Sequence, residues 1–209
     1  MVHELKIAFF YEYLMLKRQK QSFILLGFFL ILAMSLLSMT LHFTTLPSNF
    51  TLKILWLLLI FGIYQRIPYF FQEDAKDGTL NDYILSPLAL EWRIFLRLLL
   101  ESVALWIFFG GILLCAILFL NLDQSIVFQS LLLAALCIPL LVYSSGLCGA
   151  LLIRNNKGAL LLPLLLLPLQ IPTLFFTLGS APLYLIALLL IQLPLSCWGT
   201  AWILKNIDT

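Results

Sequence analysis

Residues 23–43 read FILLGFFLILAMSLLSMTLHF, with no Asp, Glu, Lys or Arg among them. At about 1.5 Å of rise per helical residue the run is roughly 31 Å long, the thickness of the hydrocarbon core of a bilayer. It follows Lys17, Arg18 and Lys20, a basic start of the kind signal peptides have. The run is longer than the apolar core of such a peptide and no small-x-small cleavage site follows it, so it reads as a retained span.

Five further apolar runs follow at about 52–71, 94–120, 126–153, 159–178 and 183–204. Turn chemistry separates most of them: Leu46-Pro47-Ser48-Asn49, Asn121-Leu122-Asp123-Gln124, Arg154-Asn155-Asn156-Lys157-Gly158 and Gly179-Ser180-Ala181-Pro182. The sequence thus predicts an all-α membrane protein of six transmembrane helices, one domain over 1–209. Run four is long enough to tilt or break near Pro139. Composition agrees. The chain is 63% hydrophobic and 11% charged, with mean hydropathy +1.07, against about half and about a quarter in soluble domains. A soluble domain of this size has too much surface for its core to hide so many apolar residues.

Orientation follows from the cations. With the N-terminus in the cytoplasm, Lys6, Lys17, Arg18, Lys20, Arg66, Lys76, Arg93, Arg97, Arg154, Lys157 and Lys205 fall on the cytoplasmic side and only Lys53 opposite. This is the asymmetry of the positive-inside rule, and it places both termini in the cytoplasm. The net charge of +2 gives no footprint for nucleic acid.

Residues 3–22 carry Leu5, Ala8, Phe9, Glu12, Leu16 and Gln19 at a spacing of three or four, with Ile7, Phe10, Tyr11 and Leu14 widening the apolar face. This predicts an interfacial helix ahead of the first span, either a plain anchor or an elbow that moves with the bundle. After run two comes the longest polar interruption, 72–93. Its Asp77-Gly78-Thr79 predicts a turn, with Gly78 free to go left-handed and Thr79 placed to cap a helix start. Leu80, Tyr83 and Ile84 give an apolar stripe on a short helix that Pro87 ends. Such a helix can dock in a groove of a soluble partner or merely hold spans two and three apart.

Three features lie within the spans. Pro163, Pro168 and Pro172 punctuate run five and predict a kinked or broken segment. Ser145/Gly149 and Gly146/Ala150 form overlapping small-x-x-x-small pairs for close helix approach, inside the subunit or between two. Arg97 and Glu101 stand four apart, the spacing of an ion pair on one helix face. Cys115, Cys137, Cys148 and Cys197 read as packing residues without a metal-ligand spacing. No HExxH, GxSxG or GxxxxGK[ST] occurs, so neither a catalytic nor an ATP site is expected. His42, at the outer end of the first span, is the one histidine placed for an outer heme ligand; the preferred reading is an interfacial structural residue.

The chain resembles the membrane subunit of the cytochrome c maturation ABC transporter, the heme exporter protein B family. The resemblance covers the whole chain in length and span pattern. It rests most on Glu73-Asp74-x-x-Asp77-Gly78-Thr79-Leu80, on Leu85-Ser86-Pro87-Leu88 and on the proline-punctuated stretch 161–172. Asn81 departs from the acidic residue expected there, with Asp82 beside it. The resemblance implies an ABC-2-like exporter permease of the bacterial inner membrane, or less closely the mitochondrial one. It would be non-catalytic, without metal or bound cofactor of its own. Two copies would pair with two ATP-binding subunits that hold ATP and Mg. Other cytochrome c maturation membrane proteins and a heme chaperone would be further partners. A coupling helix between spans two and three would engage the ATP-binding subunit through Glu73, Asp74, Asp77, Gly78, Thr79, Leu80, Tyr83, Leu85 and Pro87. Its action would be heme export or release of the heme chaperone. A permease of the same architecture for a lipid, polysaccharide or drug, and a scaffold that recruits a soluble protein, stay open as other readings.

Overall fold

The computed structural model describes residues 2–43, 48–80, 88–120, 124–154 and 162–206, and these are helical almost throughout. Seven helices follow one another among the described residues: α1 Val2–Arg18, α2 Lys20–Phe43, α3 Ser48–Lys76, α4 Leu90–Leu120, α5 Gln124–Arg154, α6 Leu162–Leu178 and α7 Pro182–Lys205. Five of them, α2, α3, α4, α5 and α7, are long and apolar enough to cross a membrane. The described part of α6 has 17 residues, about 25 Å at the helical rise.

The core forms around α5, which packs against α3, α4, α6 and α7. Residues 140–146 of α5 are buried on every side, as an all-round apolar helix must be when neighbours replace lipid. The helix stays continuous through Pro139 instead of breaking there. Outer helices bury only a stripe. In α2, Leu26, Leu30 and Met34 are buried at a spacing of four, while Ile24, Phe28, Ile31, Leu36 and Met39 are exposed. Exposed apolar side chains on this scale fit a bundle whose solvent is hydrocarbon.

Small residues set the helix spacing. A methyl group on Gly146 would stand 2.7 Å from Leu98 Cδ2 of α4, and one on Gly149 would stand 3.2 Å from the Ile67 carbonyl oxygen of α3. Both glycines thus serve contacts within this subunit. Of the cysteines, Cys137, Cys148 and Cys197 are buried, whereas Cys115 is exposed, contrary to its expected packing role; all four are free thiols.

The α6–α7 turn closes with a bond from the Ala181 amide to the Phe176 carbonyl (3.0 Å), the long link of a Schellman end. Ser180, not Gly179, takes the left-handed position, with φ 52°.

Candidate functional site

Among the described residues, ion pairs gather Arg18, Arg66, Arg93, Arg97 and Lys205 at one end of the bundle. Arg18 bridges to Asp77 at 2.6 Å, and Lys205 bridges to Glu91 at 3.1 Å, both at the surface. Lys53 instead lines a cavity of about 250 Å³ at the other end, beside Ile126, Gln129 and Ser180.

Between those surface pairs lies a buried one. Arg66 of α3 is fully buried, and its Nη2 donates to both carboxylate oxygens of Glu101 of α4 at 2.8 Å. Nη1 of Arg66 donates to Ser22 Oγ at 3.0 Å, where α2 begins. The guanidinium lies 3.6 Å from the centroid of the Phe23 ring, close enough for a cation–π contact. Gln19, in the break between α1 and α2, donates from Nε2 to the Tyr69 carbonyl at 2.7 Å and accepts from Arg66 at 3.4 Å.

One turn nearer the end of the bundle a second group forms. Arg97 of α4 donates from Nη1 to Glu12 Oε2 and from Nη2 to Asp74 Oδ2, both at 3.2 Å, and also to the Phe70 carbonyl at 3.3 Å. Arg93 stands 3.5 Å from Glu12 Oε1 and 5.2 Å from the centroid of the Tyr11 ring. Three arginines (Arg66, Arg93, Arg97) meet three carboxylates (Glu12, Asp74, Glu101), all buried, so the described cluster sums to no net charge. This balance is what makes its burial tolerable, since an unpaired charge at such depth costs several kcal/mol, of order 3–5 when one partner is deleted.

The cluster corrects the expected Arg97–Glu101 pair. The two residues share a helix face but hold different partners: Arg97 takes Glu12 and Asp74, and Glu101 takes Arg66. Helical side chains lean toward the helix N-terminus, which carries the Arg97 head away from Glu101. An arginine placed ahead of its acid is also the weaker order for such a pair.

Three of these residues were not singled out from the sequence. Glu12 enters the sequence reading only as one position of the three-or-four spacing, yet α1 turns it inward and presents Phe9, Phe10 and Tyr13 outward. Arg66 and Arg93 counted only as orienting loop charges. The available signal was Arg66 itself, a charge deep inside an apolar run, which by default needs a partner.

The loop after α3 begins within this cluster. Asp74 is buried on Arg97, Asp77 reaches Arg18, and Leu80 packs into the core. Gly78 has φ 75°, the left-handed turn its sequence implied. Thr79 Oγ1 donates to the Asp74 carbonyl at 3.2 Å, so it closes the C-terminus of α3; the helix start it was expected to cap lies outside the described residues. Tyr83, Leu85 and Pro87 lie outside the described residues, as do the side chains of Glu73, His42 and Pro163.

In α6, Pro168 and Pro172 face outward and the helix runs unbroken through both. Between them Gln170 points inward, buried, and donates to Ser145 Oγ at 3.2 Å and Ser144 Oγ at 3.5 Å of α5. The prolines therefore lie on the outward face of α6, and the inward side of the same turn is bonded to the core helix.

Over residues 5–201 the chain matches the family described as CcmB protein. No curated protein matches it.

Proposed function

The chain belongs to the CcmB protein family, the heme exporter protein B family, and on that premise we propose that it is the permease subunit of an ABC transporter of cytochrome c maturation. Membership and the apolar helices make it a multi-pass membrane component of heme-exporter type. The finer reading is ours. Helix α6 forms a further span, giving six, with α1 as an elbow in the cytoplasmic interface and both termini in the cytoplasm of a bacterial inner membrane. Two copies join two ATP-binding subunits, which supply ATP, Mg and hydrolysis. The segment 72–88 is the coupling element. Heme is cargo or is handled by neighbouring maturation proteins, and this chain acts by moving, including in release of a heme chaperone.

The observation that carries the reading is the buried cluster. Asp74 stands at the root of the 72–88 loop and shares Arg97 with Glu12 of α1. A push on the loop is thereby a push on the elbow and on α4 together. Such junctions transmit motion because their pairings are discrete and their cores do not deform gradually.

The test is isolation of the complex from its own membrane. An ATP-binding subunit and cytochrome c maturation proteins should copurify; recovery with a lipid, polysaccharide or drug system would reject the assignment. Replacing Asp77 and Leu80 together should leave the chain in the membrane while ATP hydrolysis loses its dependence on it. Coupling that survived those changes would remove the loop from this role.

A further inference from the structure

A groove of about 600 Å³ runs between the α1–α2 junction and the end of α3, lined by Arg18, Gln19, Gln21, Ser22, Leu25, Tyr69, Lys76 and Asp77. Its volume lies in the range of ligand sites, about 300–1,000 Å³. We propose that this groove binds the headgroup of an anionic phospholipid, with the phosphate between Arg18 and Lys76 and an acyl chain along Leu25.

Both walls grade from charged to apolar in the same direction. One wall begins at Arg18, passes Gln21 and Ser22, and ends at Leu25, about 10 Å along the helical rise. The other runs back along α3 from Asp77 and Lys76 to Tyr69. Leu25 is exposed at 56%, one turn beyond the polar residues, where an acyl chain would begin. Gln21 is exposed and offers an amide at headgroup depth. The groove thus has the polarity of a lipid and the order of a lipid. Among the described residues that line the groove, two cations, Arg18 and Lys76, stand against one carboxylate, Asp77, and Lys17 and Lys20 are exposed close by in sequence. That surplus selects an anionic headgroup, because basic pockets at the cytoplasmic ends of spans attract anionic lipids.

Asp77 gives the site a consequence. It already holds Arg18 at 2.6 Å, in a pair whose members are both well exposed. A lipid phosphate competes with Asp77 for the same guanidinium, so the bound lipid loosens the one described ion pair that ties the start of the loop to α1. The placement at the cytoplasmic face rests on the orientation proposed above.

The experiment measures lipid binding to the purified chain in detergent by native mass spectrometry. Sidedness plays no part there, so a failure rejects the groove and leaves the orientation untouched. The probes are phosphatidylglycerol, phosphatidylcholine and inorganic phosphate. Phosphatidylglycerol should bind and raise Tm, and phosphatidylcholine should not. Arg18→Ala with Lys76→Ala should raise the Kd for phosphatidylglycerol roughly 30-fold, the combined effect of two surface cations, with an unchanged Tm in the absence of lipid. Asp77→Ala should lower that Kd by removing the competitor. Equal binding of both lipids, or unchanged affinity in the double variant, would overturn the proposal. So would inorganic phosphate alone reproducing the Tm shift, which would make this a free-anion site.

Discussion

At the scale of single residues, depth separates ion pairs that hold the protein together from ones that do not. Arg66 and Glu101 have no exposed side-chain surface, whereas Lys205 and Glu91 retain 55% and 38% of theirs. Glu101→Gln keeps the shape but leaves the Arg66 charge buried without its counter-ion, and should cost about 3–5 kcal/mol. Lys205→Ala removes a solvated pair and should cost less than about 1 kcal/mol. Thermal unfolding of the two variants in detergent checks the contrast; equal shifts would mean that water reaches Arg66. Residue-level reading of the sequence was weakest here. Arg97 and Glu101 were legible as buried charges, but their partners Glu12, Asp74 and Arg66 lie 85, 23 and 35 residues away. No local spacing encodes such pairings, because they depend on how α1, α3 and α4 come together.

At the scale of helices, glycine positions should divide by what surrounds them. Gly149 faces the Ile67 carbonyl oxygen at 3.2 Å, backbone that cannot swing aside, while Gly111 has nothing within 4 Å. Gly149→Ala should destabilise by about 1–3 kcal/mol through overpacking. Gly111→Ala should be neutral or should stabilise by about 0.5–1 kcal/mol through helix propensity. Comparison of their unfolding temperatures tests whether α3 and α5 are as close as described. The α6–α7 turn adds a change of opposite sign. Ser180 is left-handed at φ 52°, so Ser180→Gly should gain about 1 kcal/mol, and a loss of stability would argue for another turn geometry. The long apolar runs, the 179–182 turn and the left-handed Gly78 were all readable, since each follows from local composition. The continuity of α5 through Pro139 and of α6 through Pro168 and Pro172 was not. Neighbouring helices decide whether a proline breaks a helix, and α6 is tied to its neighbour α5 beside both prolines through Gln170 and Ser145.

At the scale of the whole molecule, the charge asymmetry becomes an architecture. Arg18, Arg66, Arg93, Arg97 and Lys205 all take part in contacts at one end, the end from which the 72–88 loop departs. In the proposed function this loop drives the bundle through the junction of α1, α3 and α4. Gly78 isolates the question. Its φ of 75° needs glycine, and nothing surrounds it within 4 Å, so Gly78→Val strains the loop's exit without disturbing the packed helices. The yield of mature c-type cytochrome is measured in cells whose only copy of this chain carries Gly78→Val, with the membrane level of the chain and of the proposed ATP-binding subunit measured alongside. Cytochrome should fall to background while both proteins stay at their normal levels; normal cytochrome at normal protein levels would rule out a driving role for the loop.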